Sequence, residues 1–188
     1  RFSFYNFNKN KMLFCLCEFT IILMIFETQR LIVRKLILSD LNAFHKMQSN
    51  PKVMQFAEGE VKTLEAHQLE IIKLIKKYKK LKNDFWIYAI ERKLDNVFMG
   101  TLALVKDGND DEIGYRFLEE FWGNGYGFEI CKGTIIYCKE IGIKKIVGYV
   151  VDKNIASAKI LEKLNFKVVK KFISDDIKLP ETKYEFIL

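Results

Sequence analysis

The sequence predicts an α+β fold, an α/β three-layer sandwich in which helices flank a mixed, mostly antiparallel sheet. Apolar runs at 85–92, 97–105 and 112–118 follow one another across short turn regions, which is typical of an antiparallel meander. Residues 146–151 (IVGYVV) come after a helical stripe and are apolar on both faces, as expected of a parallel strand covered by helices on both sides. Together these patterns predict a sheet with one parallel pairing among antiparallel ones.

Composition favours one globular domain. The chain has 188 residues, of which 49% are hydrophobic and only two are proline, so it can bury a sizeable core. The net charge of +7 comes from 31 Lys and Arg interleaved with 24 Asp and Glu, without a basic or acidic arm. The charge therefore favours anionic ligands only weakly.

The first 23 residues differ from the rest. The apolar run 12–26 contains Glu18 and is shorter than the roughly 20 apolar residues of a spanning helix. No small-residue cleavage site of a signal peptide follows it. We interpret residues 1–23 as an upstream extension with Met24 as the natural start, and 24–188 as the single domain. A membrane or packing segment is the alternative for 1–23.

The elements before the meander are predicted from periodicity and caps. Residues 30–36 alternate loosely between apolar and basic side chains, which indicates a half-buried strand, and Ser39 is expected to cap a short helix. Thr63 is a good N-cap for a longer helix. The apolar stripe of that helix consists of Leu64, Ile71, Ile75 and Tyr78, widened by Ile72 and Leu74.

The opposite face of this helix and the residues after it are rich in lysine. The lysines are Lys73, Lys76, Lys77, Lys79, Lys80 and Lys82. We interpret them as a solvated charged face. A nucleic-acid patch is the alternative, and it would predict strongly salt-dependent binding.

The second half continues with a loop, a helix, a strand and a further helix. The helix after the glycine-rich loop 123–127 carries an apolar stripe at spacings of three and four, formed by Cys131, Thr134, Ile135, Cys138 and Ile141. Asn154 is a plausible N-cap for a helix through Leu164. The last two strands are expected at 166–172 and 183–188.

Cysteine and histidine usage gives no metal site. The four cysteines have no second pair at zinc-ligand spacing with a nearby histidine. Cys131 and Cys138 are interpreted as reduced core thiols, which predicts a reducing, cytoplasmic location. His45 and His67 lie far from the motifs and are expected to be ordinary surface or boundary residues.

The glycine-rich loop predicts an anion site. A strand, a loop with glycines at 123, 125 and 127, and a helix start follow in order, so backbone N–H groups and the helix amino end can approach a pyrophosphate. The ligand implied is a nucleotide diphosphate. A dinucleotide fold is disfavoured because the alternating βαβ units are missing, and no P-loop Gly-Lys-Ser/Thr is present.

Five short blocks follow one another along the chain: ETxRLxLR at 27–34, NPxVMxF at 50–56, the loop at 122–127, NxxSxxxLEKLGF at 154–166, and ETKYEF at 181–186. Together they span about 160 residues and resemble the GNAT superfamily of N-acetyltransferases, in particular the branch of ribosomal-protein alanine and serine N-terminal acetyltransferases, whose coenzyme A loop corresponds to 122–127. Asn165 replaces the usual glycine of the fourth block, which Asn can do because it tolerates left-handed backbone angles.

The resemblance implies acetyl-CoA as cosubstrate, and no metal. It also implies that strands 112–118 and 146–151, the central parallel pair, splay apart around the pantetheine arm. The residues that it assigns to cofactor binding are Trp122, Gly123, Asn124, Gly125, Tyr126, Gly127 and Asn154. Trp122 stands where the family usually has Arg or Gln.

Ser157 and Glu112 are the candidate catalytic residues. Ser157 shares the inward stripe of its helix, and the resemblance makes its hydroxyl the acid that protonates the leaving thiolate. A serine that only caps or bonds the backbone is the alternative. Many relatives have a tyrosine acid where this chain has Leu161. Glu112 would act as base through water, and a solvated edge glutamate is the alternative.

The implied function is an N-acetyltransferase that acts on a primary amine by direct attack, without a covalent intermediate. A protein N-terminal α-amine titrates near about 8, against about 10.4 for lysine, and so depends less on a base. The acceptor remains open between a ribosomal protein N-terminus and a small-molecule amine. Neither direct nucleic-acid binding nor membrane binding is expected, and a homodimer is one open state. The alternative function is a non-catalytic acyl-CoA-binding regulatory module.

Overall fold

A computed structural model describes residues 24–57 and 62–188. The expectation for residues 1–23 lies outside this part of the chain. The strands are β1 (Met24–Glu27), β2 (Leu31–Lys35), β3 (Phe85–Arg92), β4 (Val97–Asp107), β5 (Asp110–Phe117), β6 (Lys145–Val151), β7 (Lys167–Ile173) and β8 (Pro180–Ile187). The helices are α1 (Leu41–Gln48), α2 (Pro51–Met54), α3 (Leu64–Lys77), α4 (Tyr126–Glu140) and α5 (Ile155–Lys163), with short 3-10 helices at Leu38–Asp40 and Glu119–Phe121. None of the described helices is long and apolar enough to cross a membrane.

The strands form one sheet in the order β1-β2-β3-β4-β5-β6-β8-β7, in which β5 and β6 are parallel and the six other described neighbours are antiparallel. The predicted mixed, mostly antiparallel sheet is confirmed. Within the described residues, the parallel register comprises two pairs, Asp111 with Ile146 and Glu112 with Val147. Beyond these pairs β5 and β6 separate, so the expected splay is present.

The helices lie on both faces of this sheet. Arg116 of β5 donates from Nη1 to Gln48 Oε1 of α1 at 3.0 Å, while the hydroxyl of the preceding residue, Tyr115, lies 3.4 Å from Ser157 Oγ of α5. Because successive strand residues point to opposite faces, α1 and α5 cover opposite sides of β5. The architecture is the expected three-layer sandwich.

Two clusters of buried side chains form the core. One joins β2, β3 and β4 to α1 and α3 around residues such as Phe44 and Ile71, and the other joins β6, α4 and α5 around Ile146. Trp86 packs against both clusters, as does Tyr115.

The two cysteines in the second cluster, Cys131 and Cys138, are free buried thiols, and burial raises the pKa of each to about 12. They are therefore neutral core residues at physiological pH, as the sequence predicts.

The helical caps agree with the sequence in most places. Thr63 caps α3 by accepting from Ala66 N at 3.2 Å. Ser39, however, lies inside the first 3-10 helix, and Asp40 occupies the N-cap of α1. Leu64 of the predicted stripe is 39% exposed. The lysines of the polar face that lie fully on the surface are Lys73, Lys76, Lys79, Lys80 and Lys82.

A buried ionic network connects β2, the first 3-10 helix and β3. Arg34 donates from Nη1 and Nη2 to the two oxygens of Asp40, each at 2.8 Å, and from Nε to Glu91 Oε2 at 2.6 Å. The three residues are 8%, 5% and 8% exposed respectively. Each carboxylate would be buried without its counter-charge if Arg34 were absent.

His67 corrects the expectation that both histidines are surface or boundary residues, because it is buried and pairs with the half-buried His45 between α1 and α3. Their Nδ1 atoms lie 2.8 Å apart, and Ser49 Oγ lies 3.2 Å from His45 Nδ1. His67 is only 2% exposed and meets the ring of Phe44 edge-on. Burial lowers the pKa of His67 below its ordinary value, so its imidazole is neutral in the folded protein at pH 7.

The free energy of unfolding should therefore decrease as the pH is lowered, because protonation of His67 favours the unfolded chain. The unfolded chain, with a histidine pKa near about 6.5, takes up a proton before the folded chain does, so stability is complete above that pH and is lost as pH falls through the folded pKa. His67→Gln should remove most of the difference in urea midpoint between about pH 7.5 and about pH 5.5. Ser49→Ala keeps both histidines and should retain the difference. Equal midpoints of the parent protein at the two pH values would contradict the prediction.

Arg34→Met should lower the free energy of unfolding by about 3–5 kcal/mol, because it leaves Asp40 and Glu91 buried and uncompensated. Urea denaturation measures the loss. The control is Lys62→Met, which breaks an exposed pair with Glu70 and should cost less than about 1 kcal/mol. A similar small loss in both variants would show that the network does not stabilise the fold.

Candidate functional site

The glycine-rich loop connects the end of β5 to the start of α4. Gly123 and Gly125 have φ angles of 76° and 77°, in the left-handed region that favours glycine. A Cβ at Gly123 would meet no atom within 4 Å. The first turn of α4 follows directly, so its unbonded backbone N–H groups stand beside two glycines that place no side chain over them. This geometry suits an anionic ligand, as the sequence predicts.

The side chains of Trp122 and Asn124 stabilise the loop itself. Trp122 donates from Nε1 to Phe117 O at 2.9 Å, while its side chain stays exposed. Asn124 donates from Nδ2 to Trp122 O at 2.9 Å. Both side chains therefore hydrogen-bond to backbone carbonyls near the loop, and these bonds fix its course from β5 into α4.

Gly127 differs from the other two glycines, because it lies inside α4. A Cβ there would stand 2.9 Å from Ile160 Cδ1 and 3.3 Å from Tyr115 Cε2 and Oη. The missing side chain lets α5 and β5 approach the start of α4. Gly127 thus serves close packing, while Gly123 and Gly125 form the turn.

Ser157 lies in the first turn of α5, on the side of the helix that faces β5. The helix is capped by Asn154, whose Oδ1 accepts from Ser157 N at 3.2 Å. The partly buried Ser157 hydroxyl has the Tyr115 hydroxyl at 3.4 Å, where either oxygen can donate. The hydroxyl therefore faces the strand, which agrees with the inward position expected from the helical stripe.

Tyr115 is the residue of this site that sequence reasoning missed. Burial raises the pKa of its phenol, an effect that the hydrogen bond with Ser157 partly offsets, so it is a neutral donor and acceptor. The position where related sequences have a tyrosine holds Leu161, which is 4% exposed and belongs to the core. The phenol beside Ser157 comes from β5 instead, through a contact between residues 42 positions apart.

Glu112 is not brought together with Ser157. It occupies the last parallel pair before β5 and β6 separate, and it alternates with Ile113 and Tyr115, so its side chain belongs to the opposite face of the sheet. The Ser157 hydroxyl and the Glu112 carboxylate therefore lie on opposite sides of the sheet.

An open groove of about 390 Å³ lies between the loop and α5. Its lining residues are Gly125, Phe128, Ala156, Lys159, Ile160 and Lys163. Its surface is mostly apolar, with two lysines, a combination that suits a flat ring carrying phosphates. Among the described residues, no cluster of three or more metal-ligating side chains occurs.

Two comparisons with known sequences match most of the chain. The family described as acetyltransferase (GNAT) domain matches residues 30–167, well over half of the chain. An uncharacterized N-acetyltransferase of Bacillus subtilis, YoaA, is 29% identical over 148 residues, which cover 76% of this chain and 82% of that protein.

Solved structures also align over most of the chain. A GNAT-family acetyltransferase from Bacillus anthracis aligns with a TM-score of 0.75 at 21% identity, covering 86% of this chain and 96% of that one. The ribosomal L7/L12 α-N-protein acetyltransferase RimL, in complex with coenzyme A, aligns with a TM-score of 0.75 at 18% identity, covering 88% and 98%. At these identities the structures show a shared fold. Since the family match runs from β2 through the glycine-rich loop and β6 to α5 and covers well over half of the chain, the chain belongs to the acetyltransferase (GNAT) family.

Proposed function

We propose that this protein transfers the acetyl group of acetyl-CoA to a primary amine by direct attack of the amine on the thioester. The observation that carries the proposal is the short parallel pairing of β5 with β6. An opening beyond it would have the glycine-rich loop at one end and the Ser157 hydroxyl, which contacts Tyr115 of β5, on its wall. The coenzyme A complex of RimL, which shares this fold, supports the same ligand here.

The cosubstrate would bind with its pyrophosphate at the glycine-rich loop and its thioester end between β5 and β6. Its pyrophosphate would accept hydrogen bonds from backbone N–H groups at Gly125 and the first turn of α4. Its adenosine, with the separate 3′-phosphate, would lie in the groove near Lys159 and Lys163. The remaining residues proposed to shape or contact this site are Trp122, Gly123, Asn124, Tyr126, Gly127 and Asn154.

The pantetheine arm would occupy the opening. Within the described part of the chain, no strand pairs with the β6-facing edge of β5 beyond Glu112, so the amides of that edge can bond the arm. One of these N–H groups would also stabilise the oxyanion that forms on the thioester carbonyl.

The proposed chemistry needs one proton removed and one delivered. The amine nitrogen attacks the thioester carbon, and the ammonium that forms loses a proton through water to Glu112. The C–S bond then breaks, and the sulfur takes a proton from Ser157 Oγ, which regains one from water. Tyr115 would orient the Ser157 hydroxyl toward the sulfur.

We propose a protein N-terminal α-amine as acceptor. RimL, whose name gives it α-N-acetylation of ribosomal L7/L12, shares the fold over nearly its full length. An α-amine titrates near about 8 and is substantially neutral at cellular pH, so a distant carboxylate acting through water suffices. The acceptor would approach from the face that carries Glu112. A panel of N-terminal peptides and small amines, assayed by thiol release, tests this choice.

Ser157→Ala should lower kcat and kcat/KM together by about 100-fold to 10,000-fold, with little change in acetyl-CoA affinity, because only proton delivery is lost. Single-turnover kinetics and calorimetry measure the two quantities. Ser174→Ala, in the β7–β8 connection, is the control and should keep full activity. A normal chemical rate in Ser157→Ala would remove Ser157 from catalysis. Acetyl-CoA binding without turnover of any amine by the parent would favour the non-catalytic module.

Substitutions of Gly125 and Gly127 should have different effects, the first on acetyl-CoA affinity and the second on the free energy of unfolding. Gly125→Val forces a branched side chain into a left-handed conformation, so the loop should change shape and the Kd for acetyl-CoA should rise about tenfold. Gly127→Val should instead lower the free energy of unfolding by about 1–3 kcal/mol, because its side chain meets Ile160 and Tyr115. Calorimetry and urea unfolding of both variants test the pair. Unchanged affinity in Gly125→Val would exclude the loop from the site.

A further inference from the structure

The turn between β1 and β2 lies against the start of α4, although the two segments are about a hundred residues apart in sequence. Glu129, in the first turn of α4, accepts on Oε1 from Thr28 Oγ1 at 2.6 Å and from Arg30 N at 2.7 Å. Arg30 Nε donates to Oε2 at 2.6 Å. Both carboxylate oxygens are thus engaged by the turn.

These bonds offset the repulsion expected between the Glu129 carboxylate and a bound pyrophosphate. A carboxylate in the first turn stabilises the helix, but it also places negative charge where a pyrophosphate would bind. Burial acts to raise the pKa of Glu129, while hydrogen bonds from Thr28 and Arg30 outweigh burial and lower it, so Glu129 is ionised at neutral pH. The Arg30 guanidinium supplies the opposite charge at contact distance. The net charge that a phosphate meets from this pair is therefore close to zero.

Arg30 also contacts the glycine-rich loop directly. Its Nη1 donates to Asn124 O at 3.1 Å, and its guanidinium lies over the Tyr126 ring, 4.2 Å from the centroid. In a trans peptide the carbonyl and the following N–H point in opposite directions. Because the Asn124 carbonyl points to Arg30, the N–H of Gly125 points away from Arg30. Arg30 thereby fixes the orientation of one of the proposed phosphate donors.

We infer that Arg30 is a positioning residue for the coenzyme A site: it holds the Asn124–Gly125 peptide so that the Gly125 N–H points away from the arginine and toward the ligand, and it neutralises Glu129 beside that ligand. The inference rests on the proposed function. Arg30 acts through the loop and does not touch the phosphates. The turn that carries Thr28 and Arg30 is accordingly part of the cosubstrate site.

The test is Arg30→Gln, with acetyl-CoA and coenzyme A as probes. The Kd for both ligands and the KM for acetyl-CoA should rise about tenfold or more, because a charged hydrogen-bonded group is lost and Glu129 becomes repulsive. The kcat at saturating acetyl-CoA should stay within about twofold. Arg30→Lys should recover only part of the affinity, since lysine restores the charge without the planar fork. Lys62→Gln removes a cation paired with Glu70 on the surface, and it should leave all constants unchanged.

The double variant Arg30→Gln/Glu129→Gln separates charge from structure. If Glu129 repels phosphate once Arg30 is gone, removing its charge should recover a measurable part of the lost affinity. A purely structural role predicts that the second substitution adds to the loss. Parent-like affinity in Arg30→Gln, or a fall in kcat at unchanged KM, would overturn the inference. Absence of acetyl-CoA binding by the parent protein would instead refute the proposed function.

Discussion

The short parallel contact between β5 and β6 is the constraint on which the site depends. Each strand is held along its length on its other side, β5 by β4 and β6 by β8, so the two can diverge without becoming free strands. The divergence leaves backbone groups along the opening that require hydrogen-bond partners. The glycine-rich loop continues from β5, and α5 follows β6. The loop and α5 therefore both begin beside the opening, because each directly follows one of the two diverging strands.

The sequence was informative where structure follows from local chemistry. Thr63 and Asn154 cap helices as predicted, and the apolar runs became strands because their periodicity matches burial on a sheet. The position of Ser157 followed from a helical stripe. It was not possible to predict that Gly127 is needed for packing, since that depends on how α5 and β5 cross α4. The histidine pair is a contact between two helices, and neither residue has a local pattern that reveals it.

One sequence block contributes to both stability and the proposed site. Arg34 is buried between two carboxylates and connects β2 to its neighbours, whereas Arg30 remains 42% exposed in its side chain and holds the loop. The sequence alone does not distinguish them, because both are arginines in or beside the same apolar run. They differ in their partners. Asp40 lies in the first 3-10 helix and Glu91 in β3, whereas Glu129 lies on the helix after the loop.

The separation of β5 from β6 has a consequence for backbone dynamics. In a strand, successive amides point to alternate sides, so beyond Glu112 every second amide of β5 is bonded to β4 while the others face the opening. Hydrogen exchange along this single strand should therefore alternate between slow and fast in the ligand-free protein. A ligand that bonds the exposed amides would make the pattern uniform. The exchange rates of individual β5 amides thus report whether a ligand occupies the opening.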